Sequence, residues 1–240
     1  MKSYLMLFFI LFFTACSSTM QTSGSGYNIN GTSDEKKIDS NSFKNFKEVM
    51  RIKPKCEPCG NGSGSSVNLN GIEYSSDISL SCCRDVRKID TGIAIKKVYI
   101  HRVADLREDQ KIVRIQGKDK QFQDMHISKR ADYMFYLILK QELRERGIIV
   151  LEERTSPYVM KLDFDFLALQ SYYSPKAEHL ASNLEGFLML KDINKTKRYK
   201  IFTTQDVRKL DTNDPDDIGV YIDLLIRQAA NKVAEEVSKF

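Results

Sequence analysis

Met160-Lys161-Leu162-Asp163-Phe164-Asp165-Phe166-Leu167-Ala168 alternates large apolar side chains with charged ones over most of its length. Successive side chains of an extended strand point to opposite faces, so a period of two means one dry face and one wet face. The expected dry face is Met160, Leu162, Phe164, Phe166 and Ala168; Lys161, Asp163, Asp165 and Leu167 fall on the other. One wet face fits an antiparallel sheet packed on a single side. Asp163 and Asp165 are close enough to pair, but acid–base work needs a pocket around them and the sequence supplies none. The plain reading is a solvated strand face.

Working outward from this strand, residues 93–103 (Ile93, Ile95, Val98, Tyr99, Ile100) are β-rich and read as a strand, as do residues 148–151. Tyr172-Tyr173-Ser174-Pro175 is expected to turn the chain, and residues 184–191 and 198–204 follow as strands joined through Asp192-Ile193-Asn194-Lys195. Residues 105–127 form an extended excursion with Gly117 in its middle.

Two amphipathic helices accompany these strands. Ser128 is the expected cap of the first, whose face is Ala131, Met134, Phe135, Ile138 and Leu139, and Gly147 ends it. Glu142 projects onto its apolar side, one turn from the end, and is expected to reach solvent or Arg146 rather than act as a buried acid. Asp214-Pro215-Asp216 opens the second helix. Its stripe is Ile218, Tyr221, Ile222, Leu225, Ile226, Ala229 and Val233, with Asp223, Arg227 and Asn231 outside. The expected fold is α+β: an antiparallel sheet covered on one face by two amphipathic helices, a two-layer sandwich. It occupies residues 91–240.

The N-terminus places the chain. Lys2 precedes an apolar run over residues 4–13, then Thr14-Ala15-Cys16. A run of ten is too short for ~30 Å of hydrocarbon and suits an export signal. Small residues before a cysteine resemble a bacterial lipobox, with residues 1–15 removed and Cys16 diacylated; Phe13 departs from the usual Leu. Two or three acyl chains hold where one would not. Ser17, where Asp would retain the product in the inner membrane, points to the outer membrane. Residues 16–42 are rich in Ser, Thr, Gly and Asn and read as a flexible tether of roughly 30 Å mean reach.

Residues 43–90 contain Cys56, Cys59, Cys82 and Cys83. With Cys16 acylated, an even number remains in an oxidising compartment, so disulfides are expected. Three connectivities are open; Cys56 and Cys59 each pairing with one of Cys82 and Cys83 avoids a strained vicinal bond. Adjacent Cys82 and Cys83 fit one tetrahedral zinc poorly. Gly60-Asn61-Gly62 after the CxxC opposes the helix start of a thioredoxin-type pair.

With these residues in view, the chain resembles the YajG-type family of bacterial lipoproteins. The matching pieces are the lipobox, the strand near residues 93–103, Ala104-Asp105-Leu106-Arg107, Ile115-Gln116-Gly117, the helix ending Leu143-Arg144-Glu145-Arg146-Gly147-Ile148, and the acid-started last helix. The resemblance implies fold and location, and no catalytic residues. At the level of fold it extends to lipoproteins that activate peptidoglycan synthases or accompany lipid transporters.

No nucleophile–base pattern, phosphate loop or metal spacing is present, and no cofactor is expected; His101, His126 and His179 are scattered. The expectation is a non-enzymatic envelope lipoprotein, periplasm-facing, that binds an envelope protein or anionic polymer and not nucleic acid. The alternatives are a surface-exposed adhesin-like lipoprotein and a thiol–disulfide oxidoreductase using Cys56 and Cys59. Net charge is +5, and Lys96, Lys97, Arg102, Arg107, Lys111 and Arg114 are the expected place for an anionic partner, although acids are interspersed.

Overall fold

The computed structural model describes residues 49–50, 61–69, 72–81, 96–109, 111–117, 120–125, 130–212 and 215–240. Cys16, Cys56, Cys59, Cys82, Cys83, His126, Ser128 and Asp214 lie outside them, and so do the expectations that rest on those residues.

The alternating stretch at residues 160–168 belongs to the spine of a seven-stranded sheet. That spine is β7 (Met160–Ser174), and along one edge it pairs antiparallel with β8 (His179–Lys191), which pairs antiparallel with β9 (Thr196–Arg208). Its other edge is shared. The first half runs parallel to β3 (Lys97–Asp105), and the second half runs parallel to β4 (Val113–Gln116). Outside β3 lies β6 (Ile149–Leu151), parallel; outside β4 lies β5 (Phe122–Met125), antiparallel.

The sheet is therefore mixed, which corrects the antiparallel expectation within an α+β fold. The physical reason is the helix α1 (Ala131–Glu145), which carries the chain from β5, beside β4, back to β6, beside β3. Parallel neighbours need such a crossover, and α1 supplies it. One wet face shows only that a single side is covered, and says nothing of strand direction.

A bulge between Phe166 and Ala168 changes which residues face the core. Met160, Leu162, Phe164 and Phe166 are buried as expected, but Ala168 is not; Leu169, Ser171 and Tyr173 take over the inner face. An extra residue in one strand reverses the parity beyond it. Tyr172, Tyr173 and Ser174 consequently belong to β7, and the turn comes after them.

The expected face of α1 is buried. Phe135 stacks on Phe164 with ring centroids 4.2 Å apart, and Phe166 meets both rings edge-on. Gly147 has φ 73° and ends the helix, with its N–H donated to Arg144 O and that of Ile148 to Leu143 O. Arg130, at the other end, occupies the cap position without a side-chain cap hydrogen bond.

The helix α2 (Pro215–Lys239) departs further from its expected amphipathic form. Every residue from 218 to 231 is buried, including Asp223, Arg227 and Asn231, which the sequence placed outside. The cover comes from the N-terminal part of the chain. Strands β1 (Asn61–Leu69) and β2 (Ile72–Ser81) form an antiparallel hairpin, and β2 packs against α2 and β9. Val49 and Leu80 join the same hydrophobic core as the sheet and helices.

Candidate functional site: the open face and one end of the sheet

Charged groups in the interior are used for packing. Glu142 on α1 accepts hydrogen bonds from Arg227 Nε (3.1 Å), Asn231 Nδ2 (2.8 Å) and Arg146 Nη1 (2.9 Å). Arg146 is the partner the sequence offered, but Glu142 is buried rather than solvated, because α2 closes over it. Arg227 also donates to the Val49 carbonyl. Asp105 and Arg107 form a local fork, Nε to Oδ1 at 2.7 Å and Nη2 to Oδ2 at 2.5 Å, with the Arg107 side chain buried.

The face of the sheet opposite the helices is built in rows by strand register. Tyr99, Lys161, Lys191 and Thr196 lie side by side; next come Arg102, Asp163, Met189 and Arg198, then Ala104, Asp165, Phe187 and Lys200. Asp163 is not solvated as expected. Its side chain is 6% exposed, lies 2.6 Å from His101 Nδ1 and is 3.5 Å from Lys161 Nζ. A second bulge in β3, between Ile100 and Arg102, accompanies these contacts. Arg102 donates to Asp165 at 2.6 Å. Burial raises the Asp165 pKa; Arg102 opposes that shift and the neighbouring Asp163 adds to it.

Beside these ion pairs, Phe187 and Phe202 stand 39% and 48% exposed on the same face. They sit diagonally across β8 and β9, since Phe187 pairs with Lys200 and Glu185 pairs with Phe202. Arg198 lies over the Phe187 ring at 5.9 Å. Neither phenylalanine was among the candidates marked in the sequence, although each has outward parity in a strand whose alternate residues are Leu188 and Ile201.

The six cations marked in the sequence do not converge. Lys96 donates to the carbonyls of Val237 and Ser238 at the end of α2. Arg107 is buried against Asp105. Lys111 and Arg114 pair with Asp124, and Arg114 also with Asp109. Arg102 belongs to the open face, and Lys97 lies at the start of β3. The exposed cations of β8 and β9 went unmarked because they are distant in sequence from those six. His101 and His179 remain apart, His179 lying 2.9 Å from Asp206. Among the described residues no helix is long and apolar enough to cross a membrane.

A family model described as outer membrane lipoprotein MapA matches residues 35–240. The chain belongs to the MapA outer membrane lipoprotein family. Outer membrane lipoproteins MapA from two strains of Campylobacter jejuni subsp. jejuni, of serotypes O:6 and O:2, are each 41% identical over 198 residues. The match covers 81% of this chain and 88% of each relative. Membership makes this MapA-family protein a lipid-anchored protein of the outer membrane. The bacterial-lipoprotein part of the resemblance drawn from the sequence stands, while the YajG-type label gains nothing from these matches.

Two solved structures overlap with 60% of the chain. One, an uncharacterized protein, is 12% identical with a TM-score of 0.39 and 90% of its own length covered. The other, from Xanthomonas campestris, is 13% identical with a TM-score of 0.35 and 81% covered. Likeness at that level carries no functional argument.

Proposed function

We propose that this MapA-family protein is a non-enzymatic, periplasm-facing binding or accessory module held to the outer membrane through acylated Cys16 and the tether of residues 16–42. Its open sheet face engages an envelope protein or an anionic envelope polymer. The observation that carries this reading is the pair Phe187 and Phe202, exposed on a sheet face beside Arg198 and Lys200. Apolar groups grouped on a surface and rimmed by polar ones mark interaction sites, whereas single exposed residues do not. The charged clusters of the interior, by contrast, are occupied in holding helices together.

Photo-crosslinkable residues at Phe187 and Phe202 in growing cells test the reading. Adducts are expected at both positions, and none at Lys140 on α1. Adducts from Lys140 with none from the sheet face would contradict it. Protease treatment of intact cells tests the orientation: a periplasm-facing chain survives, and an adhesin-like one on the cell surface is removed. Disulfides from Cys56 and Cys59 to Cys82 and Cys83 complete the proposal as structural staples. Insulin reduction by the purified protein would instead favour the oxidoreductase reading.

A further inference from the structure

We propose that one end of the sheet, where β7 begins and β8 turns into β9, is a second membrane contact that docks on anionic phospholipid headgroups. Two exposed apolar side chains mark the tips. Tyr158 precedes β7 and is 76% exposed; Ile193, in the turn between β8 and β9, is 51% exposed. The two turns are neighbours, because Lys161 near the start of β7 pairs with Lys191 at the end of β8. Arg154 donates to the carbonyls of Pro157 and Val159 and so holds the Tyr158 turn in place.

Cations ring these tips. Lys161 and Lys191 lie directly opposite on adjacent strands, an arrangement that like charges disfavour unless an anion lies between or above them. Lys161 has only a 3.5 Å contact with Asp163. Lys191 and Lys197 make no ion pair among the described residues, and Arg198 lies over the Phe187 ring and lowers the Asp165 pKa through its charge. The carboxylate of the turn is engaged by the backbone: Asp192 Oδ1 accepts the N–H groups of Lys195 and Asn194, which lower its pKa.

Tyrosine and isoleucine at the tips with lysine and arginine behind them suit a headgroup layer, where an aromatic ring and a short apolar chain enter while cations meet phosphates. The anchor of an outer-membrane lipoprotein keeps such a bilayer within reach at high effective concentration. Docking by this end stands the strands upright on the bilayer and leaves Phe187 and Phe202 facing sideways. The inference goes beyond the binding-module reading and depends only on the outer-membrane anchor.

The chain contains no tryptophan, so one introduced tryptophan reports its own surroundings. The mature acylated protein carrying Ile193→Trp, Tyr158→Trp or, at the far end of the sheet, Phe122→Trp is placed in nanodiscs. These contain brominated phosphatidylcholine alone or the same lipid mixed with phosphatidylglycerol. Quenching and a blue shift are expected at positions 193 and 158 in the mixed bilayer only, and not at 122. Adding Lys191→Glu, Lys197→Glu and Arg198→Glu, with the circular dichroism of the fold retained, is expected to return quenching to the phosphatidylcholine level.

Quenching that is equal in both bilayers, or equal at both ends of the sheet, shows the tether alone at work and overturns the proposal. So does an absence of quenching, which leaves crosslinking from Phe187 and Phe202 untouched. A blue shift produced by soluble peptidoglycan fragments but not by lipid assigns this end to the polymer and also overturns it.

Discussion

Glu142 on α1 and Arg227 on α2 meet through a 3.1 Å hydrogen bond, with both side chains 2% exposed. Asn231 and Arg146 share the same carboxylate, and Arg227 reaches the Val49 carbonyl. One buried acid thus ties the two helices to the N-terminal part of the chain. Removing one member of a buried ion pair leaves the other charged and unsolvated, which costs about 3–5 kcal/mol. Arg227→Met is expected to lose that much in urea unfolding. Combining it with Glu142→Leu is expected to cost less than the sum of the single changes, and additive losses would contradict the shared network.

Gly186 leaves room for an aromatic ring. A Cβ there would lie 2.4 Å from Phe164 Cζ and 2.8 Å from the Asp165 carbonyl. Overpacking of a core costs about 1–3 kcal/mol. Gly186→Ala is expected to destabilise by that amount, and Phe164→Leu in the same chain is expected to relieve part of it. Paired thermal melts of the single and double variants check this.

Tyr173 pins the approach to α2. Its hydroxyl lies 2.9 Å from both the Leu210 and Thr212 carbonyls and accepts the Thr212 N–H at 3.2 Å. Tyr173→Phe leaves buried backbone groups without that partner, at about 1–3 kcal/mol. Faster amide exchange across residues 210–212 is expected to accompany the loss. Unchanged exchange there would contradict the pinning.

Asp165 gives the fold a pH dependence of known sign. Burial raises its pKa above 3.8, more than Arg102 lowers it, and Asp163 raises it further. Between 3.8 and the raised value the folded state holds more protons than the unfolded state, so this group's contribution is fully present below that window and is lost as pH rises through it. Asp165→Asn removes the dependence. The stability of the variant relative to the parent is expected to improve as pH rises out of the acid range. Urea midpoints at a series of pH values measure it, and a change in the opposite direction would contradict the assignment.

The inner face of α1 and the Gly147 stop were legible because they depend on neighbours three or four residues away. The turn at Asp192 was legible for the same reason. Strand direction was not, since periodicity carries no sign and the parallel pairing of β3 with β7 rests on the crossovers between them, α1 among them. Nor was the bulge after Phe166, where one residue reverses the parity that Ala168 was expected to continue.

Burial of Asp223, Arg227 and Asn231 depends on residues far back in the chain, and a helical wheel sees only one helix. Asp163 is a similar case, its partner His101 lying 62 positions away. The open face could be read in part: the outward parity of Phe187 and Phe202 is local, but their adjacency comes from the pairing of β8 with β9.

Intact-mass analysis of the mature protein from outer membranes tests the central claim most directly. The expected product begins at Cys16 and carries the mass of its acyl chains. A product that keeps residues 1–15, or whose N-terminal cysteine bears no fatty chain, would contradict an anchored binding module.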